Sequence, residues 1–377
     1  MSGIYIHIPF CKKACNYCNF HFSTSLRTKR DLLDALKKEI LLQKNYLEND
    51  KISTIYFGGG TPSLLSAAEL NEIFETIFKI HAVSDNPEIT LEANPDDLTR
   101  LYLDDLKKNT PINRFSIGVQ SFFDEDLIFM NRAHNAAQAD TAIKYAQDIG
   151  FKNLTIDLIY GVPTSDNQRW KENLDKALTY NLPHISSYAL TVESGTALYS
   201  QIKKKKVAPV DDEKTAQQFD ILVQSLRLNG YEQYEISNFA REGKRAQHNS
   251  NYWLGEKYLG IGPSAHSFNS VSRQWNVANN PDYIKSLVEN KIPMTIEILT
   301  PDQSYNEYVL TRLRTVWGCN IQEITEKFGK KYEIHLNKIS EKFIECGWIT
   351  KTANIYTLTD PGKLMADFIT RELFFEE

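Results

Sequence analysis

The sequence predicts an α/β fold: six parallel strands with intervening helices, followed by an irregular segment and a smaller α+β unit. Three observations predict it. Short apolar β-type runs alternate with helical patterns up to about residue 230. Unusual polar and glycine residues collect at the ends of those runs. Beyond residue 230 the alternation stops, and a helical pattern resumes only from Ser304.

The elements follow in order. Ile4–Ile8 reads as the first strand, with a helical pattern over Lys29–Leu47. Ile52–Phe57 is followed by a helix over Ala67–Ile80, and Glu88–Ala93 by one over Thr99–Lys108. Arg114–Val119 precedes helical segments at Asp124–Met130 and Ala136–Ile149. Leu154–Tyr160 precedes Asn167–Tyr180, and Ile185–Leu190 precedes Asp212–Leu228. Strands separated by helices must run parallel, because right-handed crossovers connect them. Six is fewer than a closed barrel of this kind uses. A partial barrel and an open doubly wound sheet both fit the periodicity.

Residues 231–303 are rich in Asn, Tyr, Gly and Pro, and read as an irregular linking region. Residues 304–377 give helices at Tyr305–Val316, Ile321–Phe328 and Leu336–Cys346. Two short strands then flank a turn at Ala353-Asn354, a winged-helix-like order. The expected division is therefore 1–230, 231–303 and 304–377.

The chain has 377 residues, 42% hydrophobic and 24% charged, with a formal net charge of -5. That is the composition of a folded soluble protein. Its longest basic run is Lys203–Lys206, a solvated helix end or loop and not the basic face of a nucleic-acid binder. No apolar stretch is long enough to span a bilayer. No secretory pattern precedes Ile4–Ile8, so a cytoplasmic location is expected.

On parallel α/β sheets, ligands bind beyond the carboxyl ends of the strands. There the chain places the cysteine cluster after strand one and Gly58–Pro62 (GGGTP) after strand two. Glu92, Gln120, Asp157 and Tyr188–Ala189 follow on strands three to six. GGGTP lacks the Gly-Lys-Ser/Thr of a phosphate loop, so its glycines suggest close approach of backbone to a ligand.

Five cysteines are too few for a disulfide scaffold, and three of them, Cys11, Cys15 and Cys18, fall within eight residues. Two metal readings compete. A structural zinc could take the three thiolates with His21 or His7. A [4Fe–4S] cluster could instead be held by three cysteines, leaving one iron open to an exogenous ligand. The C-x3-C-x2-C spacing after the first strand favours the cluster.

That spacing is the loop of radical S-adenosylmethionine (SAM) proteins. The stretches YIHIPFCKKACNYCNF, FGGGTPS, LEANPDD, FSIGVQSF, MNRAHN and IDLIYGVP together resemble a family within them. It comprises oxygen-independent coproporphyrinogen III dehydrogenase (HemN) and its relative, the heme chaperone HemW. The resemblance implies a partial (β/α)6 barrel, with SAM completing the cluster. It implies a SAM pocket lined by Tyr5, Gly59, Gly60, Thr61, Glu92, Gln120, Arg132, Asp157 and Ala189. Carboxylates accepting from ribose hydroxyls, and an arginine pairing with a carboxylate, suit that ligand.

Three features favour the chaperone type over the enzyme that decarboxylates coproporphyrinogen III. Phe20 stands where the dehydrogenase loop continues C-x-C. The first strand starts at Ile4, leaving no room before it for the dehydrogenase's N-terminal extension. His248–Trp253 (HNSNYW) matches the H-N-x-x-Y-W pattern that the resemblance associates with heme. His248 has an imidazole suited to heme iron, Tyr252 could ligate or hydrogen-bond, and His266 in GIGPSAHSF could face the same cavity. The cofactors expected are the cluster, SAM and heme. The expected partners are heme-accepting hemoproteins, those of the respiratory chain among them, with a transient membrane-surface contact left open. Cys319 and Cys346 read as ordinary buried thiols.

Overall fold

The computed structural model describes residues 2–376. Six parallel strands form its centre: β1 (Ser2–Ile8), β2 (Ile52–Gly59), β3 (Val83–Ala93), β4 (Arg114–Gln120), β5 (Asn153–Tyr160) and β6 (His184–Ala189). They lie side by side in chain order. β1 does not pair with β6, so the barrel is open.

The strand alternation has an inverted logic. One face of each strand is apolar and packs on the helices: Ile55 and Phe57, Ile89 and Leu91, Phe115 and Ile117, Ile156 and Leu158. The other face points into the barrel and is polar in two tiers. Thr54, Thr90, Arg114, Thr155 and His184 form the lower tier; Tyr56, Glu92, Ser116, Asp157 and Ser186 form the upper. Arg114 is 2% exposed and donates to Thr90 and, at 2.5 Å, to Thr155. Buried polar groups tolerate the interior only when paired in this way.

The helices are started by local chemistry. Ser66 and Glu69 form a capping box on Ala67–Ile80, and Asn135 with Gln138 forms another on Ala136–Asp148. Both helices bury one stripe against the sheet.

Residues 231–303 are more regular than their composition suggested. They supply β7 (Glu232–Glu235), β8 (Asn238–Ala240), β9 (Tyr258–Ile261), β10 (His266–Phe268), β11 (Ser272–Asn276) and β12 (Met294–Ile298). β8 and β7 extend the sheet beyond β6, and β9 to β12 extend it beyond β1, giving twelve strands. β9 runs parallel to β1, and the rest are antiparallel. The expectation of an irregular region is corrected: these strands have 3–5 residues, too short to show periodicity, and are ordered by the pairing of β8 and β9 with the long β6 and β1, onto which the others add.

In the C-terminal part, helices Pro301–Leu313, Ile321–Phe328 and Lys330–Glu345 pack with β13 (Cys319–Asn320), β14 (Ile349–Thr352) and β15 (Ile355–Leu358). The turn between β14 and β15 falls at Ala353-Asn354 as expected, with Ala353 at φ 52°. Cys319 is buried there, but Cys346 is exposed, since it caps the end of its helix. Among the described residues, no helix is long and apolar enough to cross a membrane.

Candidate cluster and SAM site with an adjoining cavity

The cysteine loop follows β1 and is stitched to its surroundings by backbone. Cys11 N–H donates to Ser23 C=O at 3.0 Å, and Asn16 N–H to Met130 C=O at 3.1 Å. Asn131 donates its amide to Ala14 C=O at 2.6 Å. Cys11, Cys15 and Cys18 all line one cavity of about 450 Å³ above the upper polar tier. Gly59, Gly60, Thr61, Glu92, Gln120 and Arg132 share its wall, as do Asp157 and Ala189. Eight of the nine residues expected around SAM are thus assembled. Tyr5 is the exception: it stacks on Tyr56 at 6.1 Å and faces a neighbouring cavity instead.

Each wall group has a cause for its position. Tyr56 donates to Glu92 Oε1 at 2.7 Å, and Gly59 N–H to Oε2 at 3.3 Å. Burial pushes the Glu92 carboxyl up to about 7, opposed by Tyr56 and reinforced by Asp157. Asp157 accepts from Ser116 at 3.3 Å and is pushed up to about 6, again first by burial, with Arg114 opposing. Arg132 donates to Asn94 at 2.6 Å, Gly118 C=O at 2.8 Å and Cys15 Sγ at 3.3 Å, while its Nε is buried without a partner among the described residues. At Gly60 an added Cβ would sit 2.7 Å from the carbonyls of Ile8 and Phe10, so the GGG turn lies directly against the start of the cysteine loop.

These residues fit a cluster with SAM. The donor set is three thiols facing one cavity, with an unpaired guanidinium N–H beside them. The zinc set is not assembled. His21 gives Nε2 to Asn280 at 2.7 Å, and both ring nitrogens of His7 are engaged, with Tyr5 and with His21 C=O. Among the described residues, no three such side chains are gathered closely enough for one ion. A cube is compatible with that spread, since each sulfur binds its own iron.

Sequence reasoning missed Asn94, Asn131, Gly118 and Tyr56. The first three lie inside LEANPDD, MNRAHN and FSIGVQSF, and Tyr56 stands two residues before the glycine run, so position in or beside a motif was the available signal.

A second cavity, of about 960 Å³, adjoins the first. Asn19 and Phe20 line both. Its wall comes from the cysteine loop, from residues 252–273 and from the C-terminal part, including Tyr252, His266 and Phe268. His248 is not on either wall. It is 2% exposed inside the barrel, with Nδ1 to Thr54 at 2.7 Å and Nε2 to Tyr252 at 2.8 Å. Its ring stacks on Tyr56 at 5.0 Å, and burial pushes its pKa down to about 3. The structure therefore brings Tyr252 and His266 to one cavity and leaves His248 behind it.

Residues 5–177 match the radical SAM superfamily, and residues 299–365 match the HemN C-terminal domain. The heme chaperone HemW of Bacillus subtilis is 33% identical over 97% of this chain and 97% of its own. The chain belongs to the heme chaperone HemW family of radical SAM proteins. HemW of Haemophilus influenzae is 32% identical over 100% of this chain and 98% of its own. Coproporphyrinogen III oxidase (HemN) of Escherichia coli superposes with a TM-score of 0.83 at 22% identity, covering 99% of this chain and 90% of that one, which shows the fold. For this HemW-family chain the fold and the family resemblance are as the sequence implied, and the order of the six central strands selects the partial barrel over the doubly wound sheet.

Proposed function

We propose that this protein is a cytoplasmic heme chaperone that holds a [4Fe–4S] cluster through Cys11, Cys15 and Cys18, binds SAM beside it, and passes heme to acceptor hemoproteins. The observation that carries the reading is the pair of adjoining cavities. One has the thiols and polar tier suited to cluster and SAM. The other is large, aromatic and lined by histidines. Sites for small molecules usually span about 300–1,000 Å³, so the larger cavity has room for a porphyrin.

In the smaller cavity, Glu92 and Asp157 would accept from ribose hydroxyls, and Arg132 Nε would meet a carboxylate. When bound, the cluster supplies an electron to the SAM sulfonium. The chain's own contribution is position: Gly60 lets the turn approach the loop, and Arg132 ties that loop to Asn94 and Gly118.

The acceptors fitting this role include respiratory-chain hemoproteins. Radical decarboxylation of coproporphyrinogen III is the competing activity, and Phe20 in place of a further cysteine speaks for the chaperone. The test uses anaerobically reconstituted full-length protein with about four irons per chain. We expect transfer of bound heme to an apo-hemoprotein, and no turnover of coproporphyrinogen with SAM and reductant. Protoporphyrinogen formation without heme transfer would overturn the proposal.

A further inference from the structure

Resting on the heme-binding reading above, we infer that the heme iron is ligated by His266 in the larger cavity, and that His248 is a positioning residue behind the cavity wall. The argument begins with which imidazoles have a nitrogen to give. His248 has both ring nitrogens engaged, with Thr54 and Tyr252, and sits in the barrel interior. His7 is engaged at both as well. His21 faces the cavity too, but its ring is tied by Nε2 to the buried Asn280, which leaves Nδ1 alone to offer. His266 is exposed to the cavity and forms no side-chain hydrogen bond to the described residues.

The fold also presents His266 firmly. It opens β10 opposite Trp275 of β11, and the two rings stack at 6.0 Å with 24° between planes. Phe268, two residues on, faces the same cavity, as strand alternation requires. The turn before β10 is pinned by the buried Glu39, which accepts from Gly262 N–H at 2.9 Å and from Asn276 at 2.7 Å. Tyr283 donates to the same carboxylate. Partial burial, with the nearby Arg273 cation, holds the His266 pKa below its usual value, which keeps the ring neutral with a lone pair available to iron.

Another part of the cavity wall suits propionates. Arg312 and Lys327 both line the cavity and share one carboxylate, Glu323, at 3.3 and 2.6 Å. Here two cations meet one anion, whereas Arg273 elsewhere on the wall is held by two carboxylates, Glu297 and Glu307, so the Arg312–Lys327 end is the one that can offer charge to a further carboxylate. Phe20 lines this cavity too and belongs to the loop that carries the cysteines.

His248 then acts through its neighbours. It hydrogen-bonds Tyr252, which lines the heme cavity, and stacks on Tyr56, which holds Glu92 in the other one. Its substitution would disturb both cavities without removing an iron ligand.

The experiment is an anaerobic heme titration of cluster-loaded, full-length protein, read by the Soret band. We expect His266→Ala to lose the imidazole-ligated spectrum and bind heme at least about tenfold more weakly. His266→Met should bind heme with a shifted, thioether-type spectrum, which separates ligand loss from misfolding. Arg312→Gln with Lys327→Gln should weaken binding without changing the spectrum. His248→Ala should keep the wild-type spectrum. An unchanged spectrum in His266→Ala, or its loss only in His248→Ala, overturns the ligand assignment and leaves the chaperone reading intact. Failure of the wild type to bind heme removes that reading, and the assignment with it.

Discussion

The two cavities share Asn19 and Phe20, yet they are built in opposite ways. The cysteine-lined cavity is walled mainly by consecutive parallel strands and the loop after each. Its charged groups are already held by neutral neighbours: Glu92 by Tyr56, Asp157 by Ser116, Arg132 by Asn94. The larger cavity gathers residues from the first strand, from 252–273 and from the C-terminal part, and leaves the His266 ring without a hydrogen bond to the described residues. Pre-formed hydrogen bonds fix the geometry of a permanent cofactor and reduce the cost of ordering it. A cargo that must leave is better served by a wall assembled from separate segments, with an open ligand position.

If the cavities are independent in this way, they can be lost separately. The largest effect is expected from Cys15→Ala. Iron should fall from about four per chain to background, because two thiolates cannot retain the cube. Heme titration of the same variant should still give the wild-type Soret band. Loss of heme binding together with the cluster would merge the two sites into one. Gly60→Ala comes next. Its new Cβ would meet backbone, the Ile8 and Phe10 carbonyls at 2.7 Å, and backbone cannot rotate away. A loss of roughly 1–3 kcal/mol in a thermal or denaturant melt is expected. A wild-type melt would show that the turn and the cysteine loop can separate.

The same contrast explains what the sequence could tell. Cys11, Cys15 and Cys18 were legible because three ligands in one loop are fixed by local spacing. Glu92, Gln120 and Asp157 were legible because parallel strands deliver their ends to one rim. The six short strands between 232 and 298 were not, since β8 and β9 take their order from β6 and β1, whose partners are far away in the chain. His248 shows the limit most clearly. A motif marked it as notable, but only the three-dimensional partners Thr54 and Tyr252 show that its nitrogens are committed. The inward polar tiers were also hidden, because Thr54, Thr90 and Thr155 read as ordinary strand residues until Arg114 appears among them.

The cysteine-lined cavity should also have a pH signature of its own. The Glu92 carboxyl is raised from 4.5 to about 7 in the folded chain. The folded state therefore binds more protons than the unfolded state between those values, and stability falls as pH rises through that window. The full difference is on the order of 3 kcal/mol, shared in part with Asp157, to which Glu92 is coupled. Glu92→Gln should flatten the decline measured by denaturant melts between pH 5 and about 7.5. SAM in saturating amounts should flatten it as well, by giving the charged carboxylate a partner. An identical slope in the variant would show that the polar tier is more solvated than its hydrogen bonds indicate.

The smallest effect concerns another imidazole of the larger cavity, His21. Asn280 is buried and holds His21 Nε2 at 2.7 Å. Asn280→Ala should cost about 1 kcal/mol, the usual worth of one such hydrogen bond, and should free a ring nitrogen toward the cavity. If His266 supplies the iron ligand, the Soret spectrum of this variant stays that of the wild type and heme affinity changes less than about threefold, because the released ring is not the one that iron selects. A new spectrum, or markedly tighter binding, would mean that His21 competes for the iron once unbound from Asn280. The wall would then be defined by whichever imidazole is free and not by the fixed presentation of β10.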